Sequence, residues 1–390
     1  MERPFAYLDF AATTPMRPEA IEAMEPYLSG LFGNPSGGHS VARAAKTALE
    51  EAREEIAAIL GAEPREVVFT AGGTEADNLA VKGAARAARD AGRGEGIVTT
   101  AFEHKGVLAA CDRLERDGFR TARIRATPGG LVDVEALGAA LDPGTVVVSV
   151  MLVNNEVGTI QPLEEIVALV RQHAPQARIH TDAVQAVPWL DVARVTAGVD
   201  LVAISAHKFG GPKGTGALVV RGGTSLEPLI EGGGQEWGLR SGTSNVAGVV
   251  AMAAALRATC AARDTDVVRI AALRDRLVSG LSAAVPGTFE NGDRASKVAG
   301  NAHLGFTGIE AEALLVALDT RGVCAAAGSS CSSGATEPSH VLEAMGVARA
   351  DALASVRLSL GAASVDADVD TALSVIPDAV ARLREAGIAA

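Results

Sequence analysis

A lysine and an aspartate twenty-six positions apart carry the most chemistry in this chain of 390 residues. Lys208 follows the run Asp200-Leu201-Val202-Ala203-Ile204-Ser205-Ala206-His207, and Asp182 closes Ile179-His180-Thr181-Asp182. Both are short apolar runs with polar ends, the pattern of buried strands. An amine held at such a strand end can trap a carbonyl as an imine. A carboxylate beside it can keep a ring nitrogen protonated. Pyridoxal phosphate needs both. Gln185 lies three residues beyond Asp182. Ser205 and His207 alternate with Ala206, so in an extended segment they share one side and can hold a phosphate. The plainer readings are a strand end with a surface lysine and an aspartate that caps the next helix.

Other stretches offer matching parts. Ala71-Gly72-Gly73-Thr74-Glu75 stands between a predicted strand and a predicted helix. Its glycines let backbone amides approach an anion, the helix start adds positive partial charge, and Thr74 adds a hydroxyl. A glycine turn with a threonine cap would look the same. Phe102-Glu103-His104-Lys105 ends another strand, where an imidazole could stack on a ring and move protons, or be a satisfied structural histidine. Asn154-Asn155-Glu156 ends the next, with amides for a ring hydroxyl or a substrate, or for the turn itself. Gly328-Ser329-Ser330-Cys331-Ser332-Ser333-Gly334 sets a cysteine among small hydrophilic residues, which suits a reactive thiol better than a packed one. Arg357, in Ser355-Val356-Arg357-Leu358-Ser359-Leu360-Gly361, could clamp a carboxylate or form a structural ion pair. Cys324 reads as strand. Its spacing to Cys331 is not that of a zinc site. Cys111 and Cys260 read as helix packing.

These parts need a frame. The middle of the chain alternates β-branched strands with helices, which predicts a mostly parallel mixed sheet covered on both faces, an α/β fold with ligands at the strand C-termini. Residues 245–284 read as a long helix with polar breaks near Arg263-Asp264-Thr265-Asp266. Beyond it, shorter strands and helices predict a smaller α+β domain. Residues 15–259 form the expected large domain, and 1–14 with 260–390 the small one, with a ligand cleft between.

Composition narrows the function classes. Hydrophobic residues make up 48% and charged residues 21%, a globular balance. The net charge of −12 and the lack of a basic run argue against nucleic-acid binding. Met1-Glu2-Arg3-Pro4 begins no signal peptide, no apolar run approaches a membrane span, and the run Val246 to Leu256 reads as a buried helix. Four cysteines in a chain of this length predict a reducing, cytoplasmic setting without disulfides.

Together these residues resemble the cysteine desulfurases, pyridoxal-phosphate enzymes of fold type I in the class V aminotransferase group. The resemblance runs nearly end to end: YLDFAATTP, FGNPS, FTAGGTEADNLAVKGAA, EHKGVL, VNNEVGTIQP, HTDAVQAV, SAHKFGGPKGTGAL, GGGQEWGLRSGT, GSSCSSGATEPSHVLEAMG and VRLSLG. The cysteine loop looks like the NifS/IscS branch, although GSSCSSG departs from the usual form by an extra serine and Gly334. The resemblance implies that Lys208 is the Schiff-base lysine, that Asp182 pairs with the pyridine nitrogen, and that Gln185 and Asn155 sit near the ring hydroxyl. His104 would stack and transfer protons. Gly73, Thr74, Ser205 and His207 would hold the phosphate. Thr243 would reach the phosphate of a neighbouring subunit, which implies a homodimer. Arg357, with Asn34 and Asn155, would bind the carboxylate of L-cysteine. Cys331 would accept the sulfur, giving L-alanine and a persulfide for a sulfur-acceptor protein in iron–sulfur assembly or thiolation. Other enzymes of the fold remain open: a transaminase, a selenocysteine lyase or a C–S lyase. A non-catalytic module that docks sulfur carriers is a further alternative.

Overall fold

The computed structural model describes residues 5–328 and 337–387. The strands are β1 (Ala6–Tyr7), β2 (Val67–Thr70), β3 (Gly96–Thr100), β4 (Arg120–Ile124), β5 (Thr145–Ser149), β6 (Arg178–Asp182), β7 (Leu201–Ser205), β8 (Gly216–Val220), β9 (Thr288–Glu290), β10 (Asn301–Phe306), β11 (Val323–Cys324) and β12 (Ser355–Ser359). Among the described residues, seven form one sheet in the order β2-β8-β7-β6-β5-β3-β4. The pairs from β4 through to β7 are parallel, and β8 runs antiparallel between β7 and β2. The mixed, mostly parallel sheet is the one expected.

Every residue of β2, β3, β5, β7 and β8 is buried, because helices cover both faces. Neighbouring residues alternate between the two cores: Val98 and Ile179 pack on one side, Ile97, Val147 and Leu201 on the other. Edge strand β4 instead carries exposed Arg120 and Arg123, which discourage pairing with another edge.

Helix Gly73–Asp90 lies on the sheet through Ala76, Leu79, Ala80 and Ala84. Those small side chains bring its first turn close to the strand ends. Replacing Leu79, 1% exposed, with alanine would cost about 3 kcal/mol and loosen that turn.

A second core surrounds the antiparallel sheet β12-β10-β9, built from residues such as Leu304, Phe306, Leu358 and Ile376. Short β1 pairs with β11, and bridges from Asp9 to Ser359 and from Ala326 to Arg357 tie that pair to β12. Helix Val246–Ala284, 39 residues long, joins the two cores. Its first half packs Val249, Met252 and Leu256 on the large core, and its second half packs Ile270, Leu277 and Leu281 on the small one. The polar group at 263–266 does not interrupt it, so the expected boundary at 259/260 falls inside a continuous helix. This helix is long and apolar enough to cross a membrane by length and composition, against the sequence expectation. In this fold 61% of its apolar window is buried inside the protein.

Candidate active site

The strand ends of the large sheet open onto one pocket. Its wall holds Lys208, Asp182, His104, Gln185, Asn155, Gly73, Thr74, Ser205, His207 and Arg357. Residues from six segments, separated by up to 284 positions (357 minus 73), meet there.

Lys208 lies in the single turn Ala206–Lys208 that follows β7. Its Nζ donates to the carbonyls of Ala11 and Ala12 at 2.6 and 2.7 Å, which fixes the amine against the N-terminal segment. Gln185 donates to the same Ala11 carbonyl at 2.8 Å. Asp182 is the last residue of β6, and its Oδ1 accepts from the Val184 amide at 2.9 Å. Burial pushes its carboxyl above the usual range, while His104, the Val184 amide and Lys208 pull the other way. An Asp182 carboxylate here needs a cationic partner, and a protonated ring nitrogen is one.

His104 caps the helix Lys105–Arg116 by accepting from the Gly106 amide on Nδ1 at 3.1 Å. That bond assigns the ring proton to Nε2. One residue earlier, Glu103 is fully buried. Its Oε1 accepts from Thr100 Oγ1 and the Met151 amide, and burial raises the carboxyl to about 8.

The opposite end of the pocket suits a phosphate. Gly72, at φ 150°, caps an 18-residue helix whose first residue is Gly73. A Cβ on Gly73 would come within 2.7 Å of Val184 Cγ2, so only glycine lets this backbone approach. His207 Nδ1 meets Thr13 Oγ1 at 3.1 Å, and burial followed by Lys208 and Lys213 lowers the imidazole to about 4, so it is neutral at pH 7. The set fits pyridoxal phosphate: an anion cradle at one end, a buried carboxyl at the other, and an amine between.

Arg357 enters from β12, 2% exposed. Nη2 donates to Asp9 at 2.8 Å and Nη1 to the Asn155 carbonyl at 2.8 Å, which sets the guanidinium plane. The carboxylate clamp and the structural ion pair foreseen for Arg357 are thus not exclusive. Asn154 does turn chemistry: its Oδ1 accepts from the Glu156 and Val157 amides.

Two expected residues lie elsewhere. Asn34 is on an exposed segment, where its Oδ1 accepts from the Ser36 amide. Thr243 is exposed and outside this pocket. Cys331 lies outside the described residues. The ends of its segment are visible: buried Glu156 accepts a hydrogen bond from Ser339 Oγ and packs against Gly328, where a Cβ would collide with the Glu156 carboxylate. Burial raises the thiols of Cys324, Cys260 and Cys111, the last to about 12. Asp77, Glu156 and His340 also line the pocket and were not expected there. Asp77 had one signal, a charged residue on an otherwise apolar helix face.

The aminotransferase class-V family model matches residues 6–372. The chain is 47% identical to an IscS-like cysteine desulfurase of Mycobacterium tuberculosis, over 99% of this chain and 98% of the relative. A solved NifS-like protein superposes with a TM-score of 0.91 at 34% identity, covering 97% of this chain and all of the other. Another solved structure, SspA in complex with cysteine, has a TM-score of 0.80 at 33% identity, covering 92% of this chain and 100% of the other.

Proposed function

Since this chain belongs to the aminotransferase class-V family and is a cysteine desulfurase that uses pyridoxal phosphate, we propose that Cys331 takes the sulfur of L-cysteine as a persulfide and passes it to an acceptor protein. The observation that carries this reading is one pocket holding Lys208, Asp182 and His104, with Arg357 and Gly328 in its wall. Gly328 leads directly into the segment that bears Cys331.

Pyridoxal phosphate, when bound, supplies a carbonyl carbon for the amines and a protonated ring that takes up electrons. The chain's own residues do the rest. Arg357, its guanidinium plane set by Asp9 and the Asn155 carbonyl, would receive the substrate carboxylate. Lys208 Nζ, released from its two carbonyls, removes and returns protons. His104 holds a proton on Nε2 because Nδ1 is engaged by Gly106. Asp182 stays ionised against the ring nitrogen. The Cys331 thiolate attacks the substrate sulfur. The carbon–sulfur bond breaks, its electron pair stays with carbon, and a proton completes the methyl group of L-alanine. Sulfur remains on Cys331 as a persulfide.

Thr243 serves a second copy of the chain in this reading, and the enzyme is a homodimer. The exposure of Thr243 supports it, as do Leu28, Leu31 and Phe32, which are 64%, 40% and 74% exposed. The acceptor belongs to iron–sulfur cluster assembly or a thiolation pathway, and the reducing cytoplasm is the compartment in which a persulfide carrier works. Cys331→Ala tests the core of the proposal. Alanine release from L-cysteine should stop, and the wild type should carry a persulfide that the variant lacks. Unchanged turnover without a wild-type persulfide refutes it.

A further inference from the structure

Asp182 has a second carboxyl beneath it. On helix Gly73–Asp90, Asp77 interrupts the apolar face that packs on the sheet, with a side chain 1% exposed. Carboxyl oxygens of Asp77 and Asp182 and a ring nitrogen of His104 all lie within 4.8 Å of one another. Asp77 Oδ1 has no hydrogen-bond partner among the described residues, and neither has Nε2 of the fully buried His180. These two atoms face each other at 3.5 Å. On the far side of the ring, His180 Nδ1 meets Ser149 Oγ at 2.9 Å. His180 and Asp182 are two residues apart on β6, so they share the face that helix Gly73–Asp90 covers.

The titratable groups gathered here are Asp77 from the helix, His180 and Asp182 from β6, Glu103 and His104 after β3, and Lys208 after β7. Two carboxylates this close, shielded from water, cannot both ionise. Their neighbours decide which keeps the proton. Asp182 faces His104 and Lys208, which favour its charge. Asp77 is raised well above the usual range, first by burial and then by Asp182 and Glu103. His180, lowered to about 3 by burial, is no cation to offset it.

We propose that Asp77 is a positioning residue for the cofactor: it stays a neutral carboxylic acid beneath Asp182, directs its proton towards His180 Nε2, and leaves Asp182 as the carboxylate for the ring nitrogen. The protonated Asp77 Oδ1 points its proton at the bare Nε2 of His180, and the Nδ1–H of the same ring donates to the Ser149 hydroxyl, so all three groups are neutral. An ionised Asp77 would add an uncompensated buried charge and weaken the pairing of Asp182 with the ring. The proposal rests on the cofactor reading above.

The test uses wild type, Asp77→Asn and Asp182→Asn, each with isotope-labelled aspartate, followed by infrared spectroscopy with and without pyridoxal phosphate at pH 7. In the loaded wild type, a protonated-carboxyl stretch from aspartate should persist, and Asp77→Asn should abolish it. Cofactor affinity should fall about threefold in Asp77→Asn and at least about thirtyfold in Asp182→Asn. A carboxyl band unaffected by Asp77→Asn overturns the proposal, as does a loss of affinity equal to that of Asp182→Asn. Thermal unfolding of the cofactor-free variants checks that both fold. A wild type with no imine absorbance would defeat the cofactor reading instead, while the band in the cofactor-free protein would still report on Asp77.

Discussion

Two fully buried histidines, His180 on β6 and His303 on β10, look alike in isolation. Burial lowers each to about 3. Each has its Nδ1 within hydrogen-bond distance of a side chain, and each has an Nε2 without a hydrogen-bond partner among the described residues. Their partners separate them. His303 Nδ1 faces the Asn291 amide nitrogen, which only donates, so its proton is fixed on Nε2. His180 Nδ1 faces the Ser149 hydroxyl, which donates or accepts. Beyond the rings lie different groups: the Asp77 carboxyl beside His180, and the cations Lys297 and Arg357 near His303. A low pKa therefore marks burial in both places. Only on the β6 side does the bare Nε2 face an acid that can direct a proton at it while both groups stay neutral.

The strongest break falls on the β6 side. Asp182→Ala should reduce the rate of alanine release on the order of 10³-fold, because the ring loses the charge that keeps it protonated. Cofactor-free Asp182→Ala should still fold, since it removes a buried acid whose ionisation burial opposes. A steady-state assay with a melting curve checks both outcomes. On the β10 side the expected loss is in substrate binding. Arg357→Lys keeps the charge but not the planar fork, so the KM for L-cysteine should rise about 30-fold with a smaller change in kcat.

Protons sharpen the comparison further. Glu103 has a folded pKa of about 8 against a usual 4.5, so its contribution to stability is complete below pH 4.5 and is lost as pH rises towards 8. Glu103→Gln should therefore stabilise the cofactor-free protein by about 2 kcal/mol at pH 8 relative to any effect at pH 5, read by denaturant titration. The histidines have the opposite sign. With folded values near 3 and an unfolded value of 6.5, His180 and His303 contribute fully above pH 6.5 and lose that contribution as pH falls towards 3. His180→Gln and His303→Gln should each flatten the acid limb of the stability curve by about 1 kcal/mol between pH 6.5 and 4.

Much of this was legible in the residues themselves. Continuous Val, Ile and Leu runs mark buried parallel strands, and the polar residues after each run mark the strand ends, so Gly73, His104, Asp182 and Lys208 could be assigned to one rim. Glycine at 73 was legible as part of a turn, but the contact that requires it, with Val184, is tertiary. Less was legible where distant segments meet. Arg357 takes its orientation from Asp9, 348 residues earlier. Thr243 and Asn34 carry motif resemblance but lie outside this chain's own pocket. The polar group at 263–266 suggested a break, yet both cores pack along the helix and keep it whole.

The sequence by itself determined the elements, the cofactor chemistry and the rim on which that chemistry sits, because strand and helix periods and turn residues act over a few positions. Tertiary structure alone decided which acid stays neutral, which histidine faces an acid and which carbonyls hold Lys208. Those properties depend on burial and on charges a few ångströms away, and the distances that set them exist only after residues far apart in the chain have packed together.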